Sequence, residues 1–357
     1  MTVKLNNEVF IQNRKIALTE APFVIAELSG NHNQSLDLAF KMIEAAAGAG
    51  VDAIKLQTYT ADTMTLDCDA DDFQIFEDSN LWKGNSLYKL YQKAYTPWEW
   101  HKALFGKANS LGLIAFSSPF DISAVEFLET LDVPCYKIAS FENNDIPLIK
   151  RIAQTGKPVI ISTGMASLVE IAEAVETLRE NGCSQIVLLK CTSAYPALPV
   201  QANLKTIQHL RDTFQCEVGI SDHTLGIGVA LAGVALGASV IEKHFVLSRD
   251  AGGVDAAFSL EPSELKMLVS ESRSAALAGG NVLYGGDSSE QDSKKYRRSI
   301  YISADVEGGD VLSSDNIKIV RPGLGLAPKY YDHVLGRKIA KKTAKGTALT
   351  WELFKND

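Results

Sequence analysis

The sequence predicts a parallel α/β barrel, on two observations. Over residues 1–280, eight short apolar runs alternate with amphipathic segments, and almost every run ends in a polar residue. Strand and helix patterns in alternation build parallel sheets, and closing eight such units into a (β/α)8 TIM barrel is the simplest solution. A third observation ends the barrel. Residues 281–295, rich in Gly, Ser and charge, read as a linker, and 296–357 form a compact mixed segment that reads as a small second domain.

Residues 3–18 alternate weakly around Asn6-Asn7 and Asn13, which predicts a β-hairpin ahead of the barrel. Strands follow at 23–28, 52–57, 113–119, 135–140, 158–163, 185–192, 216–221 and 239–247. Between them, 36–50, 123–131, 168–182 and 262–279 carry apolar residues at helical spacing, and several of these segments end at Gly. One connection breaks the rhythm. From Thr58 to Thr96 runs a long insertion rich in acids and aromatics, including Trp82, Tyr88 and Tyr91. Insertions of this length are usually lids or disordered, and its aromatics favour an ordered, partly helical lid.

Composition sets the class of partner. With 46% hydrophobic and 22% charged residues, the 357-residue chain can bury a full core. A net charge of −8 argues against nucleic acid or an anionic membrane as partner, so an anionic substrate would need local lysines. The five cysteines are scattered without a CxxC, which fits free thiols in a reducing cytoplasm. The N-terminus is too polar for a signal peptide, and no apolar run approaches the length of a membrane span.

Barrel enzymes collect their chemistry at the C-terminal strand ends. Here Glu27 closes the first strand, and Lys55 and Gln57 share a face of the second. Ser117 and Ser118 end the third, Lys137 lies in the fourth with Ser140 beyond it, Ser162 ends the fifth, and Tyr195 follows the sixth. The last two strands end in Ser221-x-His223 and Glu242-x-His244. Side chains two apart share a strand face, so both imidazoles point into one mouth if these strands are neighbours. Two neutral imidazoles with positions left open describe a catalytic metal site. Manganese, magnesium, cobalt or zinc would suit them. Lysines and small hydroxyls at the same mouth form a cradle for phosphate and carboxylate. Single strand-end Lys or Ser residues are more often structural. His101, His209 and His333 read as core or surface residues, and His32 as a loop residue.

The stretches VIAELSGNHNQ, AIKLQTY, FSSPFD, YKIAS, ISTGM, SDHTLGIG, IEKHF and SLEP resemble the sialic acid synthase family, whose members condense phosphoenolpyruvate with an N-acylated amino sugar. The resemblance spans nearly the whole chain. It implies that 296–357 is an antifreeze-like (SAF) domain. ELSGNHNQ, KLQTY, the aromatic lid and GGVDAAFSLEP resemble the branch that makes pseudaminic acid from a 2,4-diacetamido-2,4,6-trideoxyhexose. By motif, Lys55, Ser118, Lys137, Ser140, Ser162 and Ser221 correspond to the phosphoenolpyruvate cradle, and His223 and His244 to ligands of a divalent metal. The resemblance gives Glu27 an acid/base or water-positioning role, and sets Glu242, Gln57, Tyr195 and Asp255 against the sugar. Arg321 of VRPGLG matches an arginine delivered into the partner's site of a domain-swapped homodimer. The rival readings are a legionaminate or N-acetylneuraminate synthase, a Schiff-base aldolase using Lys190 or Lys137, and a non-catalytic sugar binder.

Overall fold

The computed structural model describes residues 8–76 and 82–354. They divide into two compact units, Met1–Gly280 and Asn281–Asp357. The first opens with an antiparallel hairpin, β1 (Val9–Ile11) and β2 (Arg14–Ile16). Residues 3–7 of the expected hairpin lie outside the described residues.

Eight parallel strands then close into a barrel. They are β3 (Phe23–Glu27), β4 (Ala53–Thr58), β5 (Ile114–Pro119), β6 (Tyr136–Ile138), β7 (Val159–Ser162), β8 (Ile186–Cys191), β9 (Glu217–Ser221) and β10 (Val240–His244). They pair in chain order, and β10 returns to β3. The fourth strand is shorter than 135–140, because Ser140–Glu142 coil into a 3-10 turn.

Helices connect the strands: α1 (Leu36–Ala49), α2 (Ala61–Met64), α3 (Leu87–Ala94), α4 (His101–Ser110), α5 (Ile122–Thr130), α6 (Ile146–Ala153), α7 (Leu168–Glu180), α8 (Thr206–Phe214), α9 (Gly228–Ala235) and α10 (Pro262–Ala278). Their caps follow local chemistry. Ser35 accepts from the Leu38 amide to start α1, which ends where Gly50 takes φ +83°. The expected lid contains α2, a 3-10 turn at Asp71–Phe73 and α3; residues 77–81 of it lie outside the described residues.

Strand alternation sorts the walls into two layers. Val24, Ile54, Tyr136, Leu188, Val218 and Ile241 face outward and pack under the helices. Phe23, Ile25, Ala53, Phe116, Ile160, Leu189 and Val240 face inward, and Val9, Ile11 and Ile16 of the hairpin close the end where the strands begin. Gly219 stands at a close approach of the wall: a Cβ there would stand 2.3 Å from the Val240 carbonyl oxygen. The apolar packing fills the lower barrel, so polar side chains from the same inward faces are left at the C-terminal mouth.

The second unit contains α11 (Ser288–Gln291), within the stretch read as a linker, then β11 (Ser299–Ile302), β12 (Ile317–Val320) and α12 (Tyr331–Val334). β11 and β12 pair antiparallel over a core of Ile300, Ile302, Val306, Leu312, Ile317, Val334, Ile339 and Leu349. Among the described residues, no helix is long and apolar enough to cross a membrane.

Candidate active site

Barrel register builds the site in rows. The β10–β3–β4 pairing sets His244 opposite Glu27, and Glu27 opposite Lys55. The next row, on β8–β9–β10, places Cys191 beside Ser221 and Ser221 beside Glu242. All of these residues lie on inward faces. Together with loops above the strands they surround a cavity of about 1020 Å³.

Lys55, Gln57, Lys137, Ser140, Ser162, Tyr195, Ser221, His223, Glu242, His244 and Asp255, all singled out in the sequence, line this cavity. Glu27 and Ser118 stand behind it, fully buried. Glu27 lies 2.5 Å from the Lys55 ammonium and accepts from Gln57 Nε2 at 3.0 Å. Lys55 donates to Ser118 Oγ at 3.2 Å. These two residues therefore aim Lys55 into the mouth.

One carboxylate sits between the two lysines. Glu242 Oε1 lies 3.9 Å from both Lys55 Nζ and Lys137 Nζ, and accepts from Ser221 Oγ at 3.2 Å. Burial alone would raise its pKa, but the two ammonium groups and the histidines outweigh burial and hold it below the usual range. Burial works against charge on both lysines, with opposite net results. Glu242 and Glu27 carry Lys55 above its ordinary pKa, whereas burial, with Lys55 repelling it and no second carboxylate in contact among the described residues, outweighs Glu242 and holds Lys137 below. Lys137 donates to Ser162 Oγ at 2.7 Å. A phosphate or carboxylate beside these two lysines would gain charge-assisted hydrogen bonds in a water-poor site.

Across the mouth, the His223 and His244 rings stand 5.2 Å apart, each in edge contact with Phe258. His223 Nδ1 donates to the Thr192 carbonyl oxygen at 2.9 Å, so in the neutral ring the lone pair is on Nε2. His244 Nδ1 is buried without a hydrogen-bond partner, 3.4 Å from Asp255 Oδ2. An oriented imidazole and an unpartnered imidazole nitrogen, with a carboxylate beside it, fit the donor chemistry of a divalent cation. Among the described residues, no group of three or more His, Cys, Asp or Glu is arranged to hold an ion. Two imidazoles would thus leave the other positions to substrate and water.

The aromatics of the expected lid divide. Tyr91 and Trp82 line the cavity, and Trp82 Nε1 donates to the Val254 carbonyl at 2.9 Å. Tyr88 is not among the lining residues, and its hydroxyl donates to Asp62 Oδ1 at 2.9 Å. Lys190 falls on the outward alternation of β8, bonded to the Cys191 carbonyl and Thr192, and is not among the cavity-lining residues, which removes it as a Schiff-base candidate. Arg321 belongs to the second unit, exposed just past β12. Its turn is pinned by Ser299 Oγ, which donates to the Pro322 carbonyl at 2.7 Å and accepts from Gly325 N at 2.9 Å.

Several site residues escaped the sequence reading. Glu142, two residues past Ser140, lines the cavity, and burial pushes its carboxyl up to about 7. Ser29 bonds to Asp255 from a backbone at φ +48°. Asn31 accepts from Asp255 N at 3.1 Å and donates to the Phe245 carbonyl and Ser259, clamping the Asp255 loop. His32 lies in the turn before α1, as read, and is fully buried there with Nε2 3.0 Å from Thr96 Oγ1. The GNHN motif was the available signal for the last two.

Comparison with known proteins agrees with this geometry. Residues 42–284 match the NeuB family and residues 297–355 the SAF domain. The chain is 45% identical to a pseudaminic acid synthase of Campylobacter jejuni subsp. jejuni serotype O:23/36 (strain 81-176), covering 92% of this chain and 95% of that one. It is 42% identical to a pseudaminic acid synthase of Helicobacter pylori (strain ATCC 700392 / 26695), covering 93% and 98%. Among solved structures, an N-acetylneuraminic acid (sialic acid) synthetase from Leptospira borgpetersenii serovar Hardjo-bovis, in complex with citrate, superposes with a TM-score of 0.73 at 32% identity, over 82% of this chain and 96% of that one. With its barrel, its mouth of paired lysines and histidines, and its C-terminal SAF domain, the chain belongs to the NeuB family.

Proposed function

We propose that this chain is a pseudaminic acid synthase, condensing phosphoenolpyruvate with 2,4-diacetamido-2,4,6-trideoxy-L-altrose and releasing phosphate. The observation that carries the reading is the 45% identity to a pseudaminic acid synthase over 92% of the chain. The anion cradle facing the histidine pair supports it chemically.

Lys55 and Lys137 bind the phosphate and carboxylate of phosphoenolpyruvate, with Ser140, Ser162 and Ser221 orienting them and Ser118 holding Lys55 from behind. Gln57, Tyr195 and Asp255 hold the open-chain sugar so that its aldehyde carbon faces C3 of phosphoenolpyruvate. A divalent cation held by His223 and His244 would supply Lewis acidity toward the aldehyde oxygen. As C3 bonds to the aldehyde carbon, C2 gains cationic character, which the Glu242 carboxylate steadies from the cavity wall, while Glu27 acts from behind by holding Lys55 and Gln57. Water adds to C2, losing one proton, while the aldehyde oxygen gains one. The tetrahedral centre then expels phosphate with cleavage of its C–O bond. In the same reading the protein is a cytoplasmic homodimer, and Arg321 reaches the partner's mouth.

The reaction in 18O-labelled water tests this sequence of bonds. The label should appear in the sugar acid, and label in the released phosphate would overturn it.

A further inference from the structure

The Ser221-x-His223 and Glu242-x-His244 motifs are defined by their inward residues. The residues between, Asp222 and Lys243, carry opposite charges and meet on the outer face of the same wall. Their ionic groups lie 3.0 Å apart, with Asp222 4% exposed and Lys243 fully buried. The Lys243 ammonium also donates to the Thr224 carbonyl. One cation, next in sequence to His244, is thus gripped by the residues on either side of His223. The clamp is closed by backbone: Asp222 N donates to the Glu242 carbonyl at 3.0 Å, and Thr224 N to Asp222 Oδ1 at 2.9 Å.

We infer that the Asp222–Lys243 pair is a positioning device that sets the mutual geometry of the two imidazoles. Regular pairing of β9 with β10 stops at Ser221 and Glu242, so the chain carrying His223 has already left the ladder. On its other side Ala197 N donates to the His223 carbonyl at 3.1 Å, and toward the His244 strand the Asp222 amide supplies the backbone tie that the clamp reinforces. Stability alone gives a weak reason for such a pair, since neutral side chains of similar volume often serve a buried position as well. Fixing register is the better-attested use of buried charges. The two imidazoles are the groups whose separation this register controls.

The proposal rests on the metal reading above, and its test separates the two. Lys243→Met, Asp222→Asn and the double variant would be compared with the full-length parent protein by thermal unfolding, Co2+ titration and the 15N spectrum of the histidine rings. Asp222→Asn keeps the acceptor for Thr224 N and removes only the charge, so it serves if Lys243→Met fails to fold. In the double variant, loss of both charges should restore the melting temperature. Co2+ binding should stay at least tenfold weaker, as expected for partners that orient ligands, and the protonated Nδ1 signal of His223 should broaden or shift. A double variant with parental melting, Co2+ affinity and ring signals would overturn the proposal. If the parent itself binds no Co2+, the metal reading fails, and the ring spectra decide: unchanged signals in the variants refute the positioning role, and altered signals uphold it.

Discussion

His223 and His244 face each other across the end of the β9–β10 pair with ring centroids 5.2 Å apart. Both belong to the mouth, outside the apolar barrel filling. His223→Ala and His244→Ala should therefore each abolish turnover while shifting the melting temperature by only a few degrees. Phosphate release and thermal unfolding check this. Full activity in exhaustively chelated protein would contradict a metal role.

Acid stability should report two histidines away from that pair. Burial lowers His32 and His101 to about 4, from an ordinary 6.5. The Gln34 amide donates to His32 Nδ1, and the Pro97 carbonyl accepts from His101 Nδ1, whose Nε2 meets Thr58 Oγ1 at 2.8 Å. Both rings are thus bonded as neutral tautomers. Between pH 6.5 and 4 the unfolded chain binds protons that the folded chain refuses, so stability falls as pH falls through this window. Each imidazole contributes a loss of about 3 kcal/mol. Glu142, raised to about 7, works the other way because the folded chain takes up its proton first, so denaturant titrations from pH 7 to 4 should show the slope of the two imidazoles less this one opposing gain, and His101→Gln should flatten it further.

The lid offers an internal control. Trp82 and Tyr91 line the cavity, whereas Tyr88 bonds to Asp62 and is not among the lining residues. Alanine at Trp82 or Tyr91 should cut the kcat/KM preference for a 6-deoxy over a 6-hydroxy sugar, by about 1–3 kcal/mol. Tyr88→Ala should leave the preference intact. Equal effects at all three positions would mean that the aromatics only hold the lid together.

If Arg321 serves a partner's site, two dead variants should rescue one another. Arg321→Ala mixed with His244→Ala under subunit exchange should regain activity, since each mixed dimer then contains one intact site. A guanidinium suits the planar oxygens of an acetamido or carboxylate group. No recovery despite verified exchange would mean that the arginine acts within its own chain or not at all.

Much of this site was legible because strands alternate. Period-2 spacing picks out Lys55 with Gln57, Ser221 with His223, and Glu242 with His244, and barrel closure brings those faces together. The same rule, carried further, would have excluded Lys190, whose neighbours Leu189 and Cys191 hold the inward positions. Alternation is silent beyond the strand ends. Glu142 enters on a 3-10 turn, Ser29 through a left-handed backbone, and Asp255 on a loop that Asn31 clamps. Asp222 and Lys243 were passed over because the outward face of a barrel strand normally carries apolar residues for the helices. Arg321 was found by motif alone, since no periodicity links a turn in a second domain to a barrel mouth.

In the proposed reaction this mouth joins phosphoenolpyruvate to one particular sugar. Phosphate release should be measured across 2,4-diacetamido-2,4,6-trideoxy-L-altrose, the corresponding legionaminate precursor and N-acetylmannosamine. The value of kcat/KM for the altrose should exceed that for each of the others by at least tenfold. A higher value for either competitor, or no phosphate release with the altrose, would contradict it.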